Sequence, residues 1–135
     1  MDKIQDSGDR TEFSTGAQRD LAGLKKGRYD LITPIALRRL AIHYKAGTVK
    51  YSDRNWEKGM PLHCYLDSAI RHIYALLEGL KDEDHAAAAA WNMMAFIHTE
   101  EMIKRGKLPA ELNDMPEPMV VDINKNPWSQ DGNNL

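Results

Sequence analysis

"PLHCYLDSAIRHIYALLEGLKDEDHAAAAAWNMMAFIHTEEMIKRG", residues 61–106, is the stretch on which the fold turns. Leu62, Leu66, Ala69, Ile73, Leu76 and Leu77 recur at helical spacing behind Pro61, and Gly79 follows them. A second helix is expected to begin around residues 82–84, where acids favour its positive end, and to run to about Arg105, with Gly106 closing it. Its five consecutive alanines are strong helix formers and let a neighbouring helix come close. A connection of about four residues between the two makes them an antiparallel hairpin.

Outward from the hairpin the pattern weakens. Thr33-Pro34 reads as an N-cap followed by the first helical position, opening an earlier helix that runs to about Ala46. Leu37, Leu40, Ala41 and Tyr44 form its apolar stripe, and Gly47 suits the position just past its end. Residues 47–60 read as a basic and aromatic loop. Residues 1–12 read as a flexible terminus, and 13–33 as an irregular arm. After residue 106, Pro109, Pro116, Pro118 and Pro127 break any helix. "MVVDI" (119–123) reads as a short strand or an arm laid on a neighbouring subunit, and the last dozen residues as disordered unless Trp128 anchors them. The expected fold is mainly α: one small helical domain over 13–116 with a central antiparallel hairpin, an irregular N-terminal arm and a Pro-rich tail over 117–135.

Composition narrows the function classes. A formal net charge of −2 argues against bulk nucleic-acid binding but leaves room for a local anion site. Cys64 is the only cysteine, which excludes an intrachain disulfide and a cysteine-based zinc cluster. The most apolar run, 86–97, is interrupted by Asn92 and is too short to span a bilayer. The polar first ten residues are unlike a secretory signal, so a cytoplasmic setting is expected. Three helices with an exposed arm leave apolar surface to cover, which points to a homo-oligomer.

Two clusters carry chemistry. With the hairpin turn centred near residues 81–82, His85 falls level with Glu78, and Asn92 level with Arg71 and His72. Carboxylates and imidazoles facing each other across two helices suit a divalent cation. Asp67, Asp82, Glu83, Asp84, His85 and His72 are the candidates; oxygen donors suit magnesium or manganese, and histidine shifts the preference toward manganese or a later metal. The same "DEDH" also reads as acids stabilising a helix N-terminus, His72 as a packed histidine bonded to Asn92 or a carbonyl, and Asp67–Arg71 as a helical ion pair. The second cluster is the loop. Lys50, Arg54 and Lys58 recur every four residues around Tyr51 and Trp56. Cations suit phosphate and a flat ring suits a nucleobase, and Arg19, Lys26 and Arg28 would extend the patch. The competing reading is a solvated loop whose Trp56 plugs the core. Cys64 has His63 beside it, but neighbouring residues on a helix do not face each other, which argues against a cysteine nucleophile.

"TGAQRD" (15–20), "GRYDL" (27–31), "KYSDRNWEKG" (50–59), "DSAIRH" (67–72) and "HAAAAAWN" (85–92) together resemble a phage and prophage family, the dATP/dGTP diphosphohydrolase N-terminal domain family. The resemblance covers about residues 13–116. It implies a helical, metal-dependent nucleotide pyrophosphohydrolase that releases pyrophosphate from a purine deoxynucleoside triphosphate, in the host cytoplasm if phage-encoded. On that reading Asp67, His72, Asp84 and His85 are catalytic and hold Mg2+ or Mn2+. Arg19, Arg28, Lys50, Tyr51, Arg54, Asn55, Trp56, Lys58, Arg71 and Asn92 bind the nucleotide. One departure stands out: Ala88 lies three residues after His85, where relatives often carry a second histidine. A non-catalytic nucleotide-binding or sequestering module is therefore the alternative, and a structural helical oligomer the third.

Overall fold

The computed structural model describes residues 4, 6, 8–20, 26–122, 124 and 125. They fall into two compact units, 1–38 and 39–135.

The first unit contains β1 (Arg10–Glu12) and β2 (Gln18–Asp20), paired antiparallel with Thr11 opposite Arg19. The turn between them is closed by Phe13 N–H to the Ala17 carbonyl at 2.8 Å and needs Gly16 at φ +87°. Within the stretch expected as a flexible terminus and irregular arm, "TGAQRD" is the turn and second strand of a hairpin. A 3-10 turn at Tyr29–Leu31 and the start of α1 (Pro34–Gly47) complete this unit. Thr33 caps α1 as expected, its hydroxyl accepting from Ala36 N–H at 3.4 Å.

The second unit is built on α2 (Leu62–Leu77) and α3 (His85–Lys104). Its buried seam is Leu62, Tyr65 and Ala69 on α2 against His85, Ala88, Asn92, Ala95 and Thr99 on α3. Both sets recur at alternating three- and four-residue steps, the spacing that keeps one helical face turned to a partner. Alanines floor much of the contact. At its centre the buried Tyr65 hydroxyl meets Thr99 Oγ1 at 3.1 Å. The seam is rotated from the expected stripe: Ile73, Leu76 and Leu77 are 48%, 43% and 77% exposed, and Tyr65 lies inside instead. Tyr65 fills the contact and satisfies its hydroxyl on Thr99, which a hydropathy pattern does not register.

The helix connection runs over 78–84, longer than expected. It begins with Gly79 at φ +79° and the Leu80 N–H to Ala75 carbonyl bond at 3.0 Å, a left-handed helix stop. The connection stays centred near residue 81, and His85 lies against His72.

The segment after α3 returns along the hairpin. Gly106 ends α3 at φ +71°. Leu108 and Leu112, the latter in a 3-10 turn at Ala110–Leu112, approach Gly59, where an added Cβ would stand 2.9 Å from Leu108. Met115 packs on the Leu62–Tyr65–Ala95 cluster, and Asp114 accepts from His63 N–H at 3.0 Å at the start of α2. Residues 119–122 are exposed and form no strand. Ile123, Trp128 and the last dozen residues lie outside the described residues, apart from Asn124 and Lys125. Among the described residues no helix is long and apolar enough to cross a membrane.

Candidate functional site

Residues of the loop and of the hairpin line one open cleft of about 1500 Å³. Lys50, Tyr51, Arg54, Asn55 and Trp56 line it from the loop; Arg71 and His72 from α2; Glu83, Asp84, Trp91 and Asn92 from the connection and α3. Arg39, His43 and Tyr44 of α1 complete the lining. Lys58, Asp67 and His85 do not line it, His85 because it is buried in the seam. Arg19 and Arg28 belong to the first unit, where Arg19 sits on β2 and Arg28 pairs with Asp30 at 2.7 Å.

Aromatic packing positions the loop wall. Trp56 meets Tyr44 edge-on at 6.1 Å and His98 at 4.8 Å, with the Arg54 guanidinium 5.6 Å from its ring centre. Tyr44 also meets Trp91 of α3 at 6.1 Å. Trp56 is thus a half-buried strut with its ring engaged, while Tyr51 is 60% exposed at the cleft. Arg54 stands at φ 60°, a left-handed conformation held by a two-point contact between its guanidinium and Glu57. That pairing holds the Glu57 carboxyl below its ordinary range. Arg71 pairs with Asp67 one turn back on α2. Among the described residues Lys50 makes no ion pair.

The hairpin end carries the imidazoles. His72 Nδ1 and His85 Nδ1 are 2.9 Å apart, and Glu83 Oε1 lies 3.4 Å from the first and 3.8 Å from the second. His85 Nε2 faces Asp82 Oδ1 at 2.7 Å, a bond that holds the Asp82 carboxyl below its usual range. Asp84 is placed differently. It caps α3, accepting from Ala87 N–H at 3.1 Å, and takes both arms of Arg39 at 2.6 and 2.9 Å. The Arg39 guanidinium, then the Ala87 N–H, bring its pKa down to about 2. Of the four residues expected to hold a metal, the structure brings His72 and His85 together. It engages Asp67 with Arg71 and Asp84 with Arg39, and puts Glu83 and Asp82 beside the histidines instead. Asn92 does not orient His72; it donates to the Ala88 carbonyl one turn back at 2.9 Å.

His63 and Cys64 correct a sequence argument. At the first turn of α2 the Cys64 Sγ lies 3.6 Å from His63 Nε2, although the residues are adjacent, because Asp114 holds the other ring nitrogen and swings the imidazole along the helix.

Sequence reasoning missed the α1 contribution, Arg39, His43 and Tyr44, for want of any local signal. Asp82 and His85 were both candidates in the sequence; their pairing follows an i,i+3 spacing at a helix start.

These features define a class: a helical-hairpin domain with an open cleft lined by cations, an exposed aromatic and an imidazole–carboxylate cluster. Residues 16–108 match the family described as dATP/dGTP diphosphohydrolase, N-terminal, and the chain belongs to that family. No curated protein and no solved structure matches it.

The Asp84 contacts set a pH dependence. Its folded pKa of about 2 lies below the ordinary 3.8, so its contribution to stability is complete above pH 3.8 and is lost as pH falls through 2. The pair is partly exposed, which screens the Arg39 share, and the N-cap itself is worth about 1 kcal/mol. Asp84→Ala should lower stability by about that amount at neutral pH, and Asp84→Asn by less, since asparagine also caps. Both should flatten the acid limb between pH 4 and 2 in urea unfolding followed by circular dichroism.

Proposed function

We propose that the cleft binds a purine deoxynucleoside triphosphate and cleaves it to the monophosphate and pyrophosphate. The observation that carries this reading is that residues of both stretches line one cleft: Lys50, Tyr51 and Arg54 from the loop, and Arg71, His72 and Glu83 from the hairpin. The family description, which names a dATP/dGTP diphosphohydrolase and only its N-terminal domain, supports a nucleotide as the ligand. The setting that follows is the cytoplasmic nucleotide pool.

On this reading Lys50 and Arg71 hold the phosphates, with Arg54 turned partly aside by Glu57. Tyr51 stacks on the base, and Trp56 keeps the loop in place. Water attacks the α-phosphorus, the bond from that phosphorus to the α–β bridging oxygen breaks, and pyrophosphate leaves as the water's proton passes to solvent. A divalent ion, magnesium or manganese, would neutralise phosphate charge and acidify a bound water. The second reading, a nucleotide-binding module without turnover, draws on Ala88: this buried seam position, one turn past His85, offers no second imidazole.

Pyrophosphate release, measured across the four deoxynucleoside triphosphates with magnesium or manganese, should show turnover of dATP or dGTP. Tyr51→Ala should weaken nucleotide binding roughly tenfold, as loss of one stacked base does. Binding of nucleotide with no pyrophosphate would establish the second reading. No binding and no turnover would remove both and leave a structural role.

We also propose a homo-oligomer. The outward face of α3 is apolar, with Met93, Met94 and Ile97 39%, 47% and 58% exposed, and Ile70, Ile73 and Leu77 of α2 are exposed beside their own helix's seam. A helix apolar on all sides is ordinarily covered on all sides. Light scattering should give at least a dimer, and Ile97→Lys should shift it toward monomer. A monomeric wild type would refute the proposal.

A further inference from the structure

We infer that His72, Glu83 and His85 form a binding site for a first-row transition-metal dication, with Asp82 as the outer partner that orients His85. The distances carry the inference. Three donors each about 2.1 Å from one ion stand about 3.0 Å apart at right angles and about 3.4 Å apart at the tetrahedral angle. The three edges here are 2.9, 3.4 and 3.8 Å, and the three residues form a converging ligand group.

The hydrogen bonds set the donor atoms. His85 Nε2 sits 2.7 Å from the Asp82 carboxylate, so that nitrogen carries the proton and donates. Its Nδ1 is left with a bare lone pair turned toward His72 Nδ1 and Glu83. A carboxylate behind a ligating imidazole is the common outer arrangement of histidine metal sites, fixing the tautomer and raising basicity. His85 is buried in the seam with its side chain 7% exposed, so its ring cannot swing away, while His72 and Glu83 border the cleft.

The donor set selects the metal. Two imidazoles and one carboxylate suit manganese through zinc, whereas magnesium and calcium require oxygen donors. Three protein donors leave coordination positions for other ligands. The site does not depend on the nucleotide reading, because it is defined by the protein donors alone.

The test uses the full chain, stripped with chelator and free of nucleotide, titrated with Co2+ as a spectroscopic probe and with Zn2+ by calorimetry. One Co2+ should bind per chain with visible d–d absorption, and millimolar Mg2+ should not displace it. His72→Gln and His85→Gln should each abolish the absorption, and Asp82→Asn should weaken binding about 10- to 100-fold while keeping the stoichiometry. Because His85 is buried, its variant is checked by circular dichroism, and the exposed Glu83→Gln provides a loss of binding that does not disturb the seam. Absence of Co2+ and Zn2+ binding in the folded chain, or binding that survives His72→Gln and Glu83→Gln, overturns the inference. A chain that binds the ion but never turns over a nucleotide leaves the site intact and removes only the hydrolase reading.

Discussion

Everything that matters in the second unit depends on how closely α2 and α3 approach. The seam is floored by Ala69, Ala88 and Ala95, and its largest occupants are Leu62 and Tyr65. Small side chains let two backbones come near enough for Tyr65 to reach Thr99 and for His72 to meet His85. A bulkier seam would part the helices and separate the imidazoles. The same economy leaves little apolar burial: among the described residues six hydrophobic side chains are buried, few for a chain of this length. The fold and the site therefore draw on one contact.

The cleft's other wall is tied to that contact in two places. Arg39 of α1 grips Asp84, the cap of α3, and Tyr44 of α1 bridges Trp56 and Trp91. The Tyr44 contact, with Trp56 against His98, fastens Trp56 of the loop to the helix that carries His85. Trp56 contributes rigidity, and Tyr51 an exposed face. A loop so held presents Lys50 and Tyr51 to the cleft without needing to order them when a ligand arrives, which lowers the cost of binding.

Much of this was legible in the sequence because the punctuation is strong. Thr33-Pro34, Gly79 and Gly106 marked real helix ends, and the alanine run announced the close pair. Other features were hidden for physical reasons. The β1–β2 hairpin has three-residue strands of polar sequence, too short for an alternation to show. The seam runs through Tyr65, His72 and His85, residues that a hydropathy stripe passes over in favour of Ile73 and Leu77. The 78–84 connection is longer than the expected four residues. Of the acids in "DEDH", the sequence could not tell which cap and which converge. Asp84 is committed to Arg39 and the helix end, while Asp82 and Glu83 turn to the histidines. Spacing alone left the basic loop and the hairpin as separate clusters; the family resemblance joined them as two walls of one site, and residues of both line one cleft.

The central claim is that loop and hairpin form one anionic-ligand site. The most direct measurement is an amide and side-chain NMR titration of the full chain with dGTP in the presence of magnesium. The account predicts shifts confined to Lys50, Tyr51, Arg71, His72 and their neighbours, saturating together at one nucleotide per chain. Shifts at only one wall, or scattered across the surface without saturation, would contradict it.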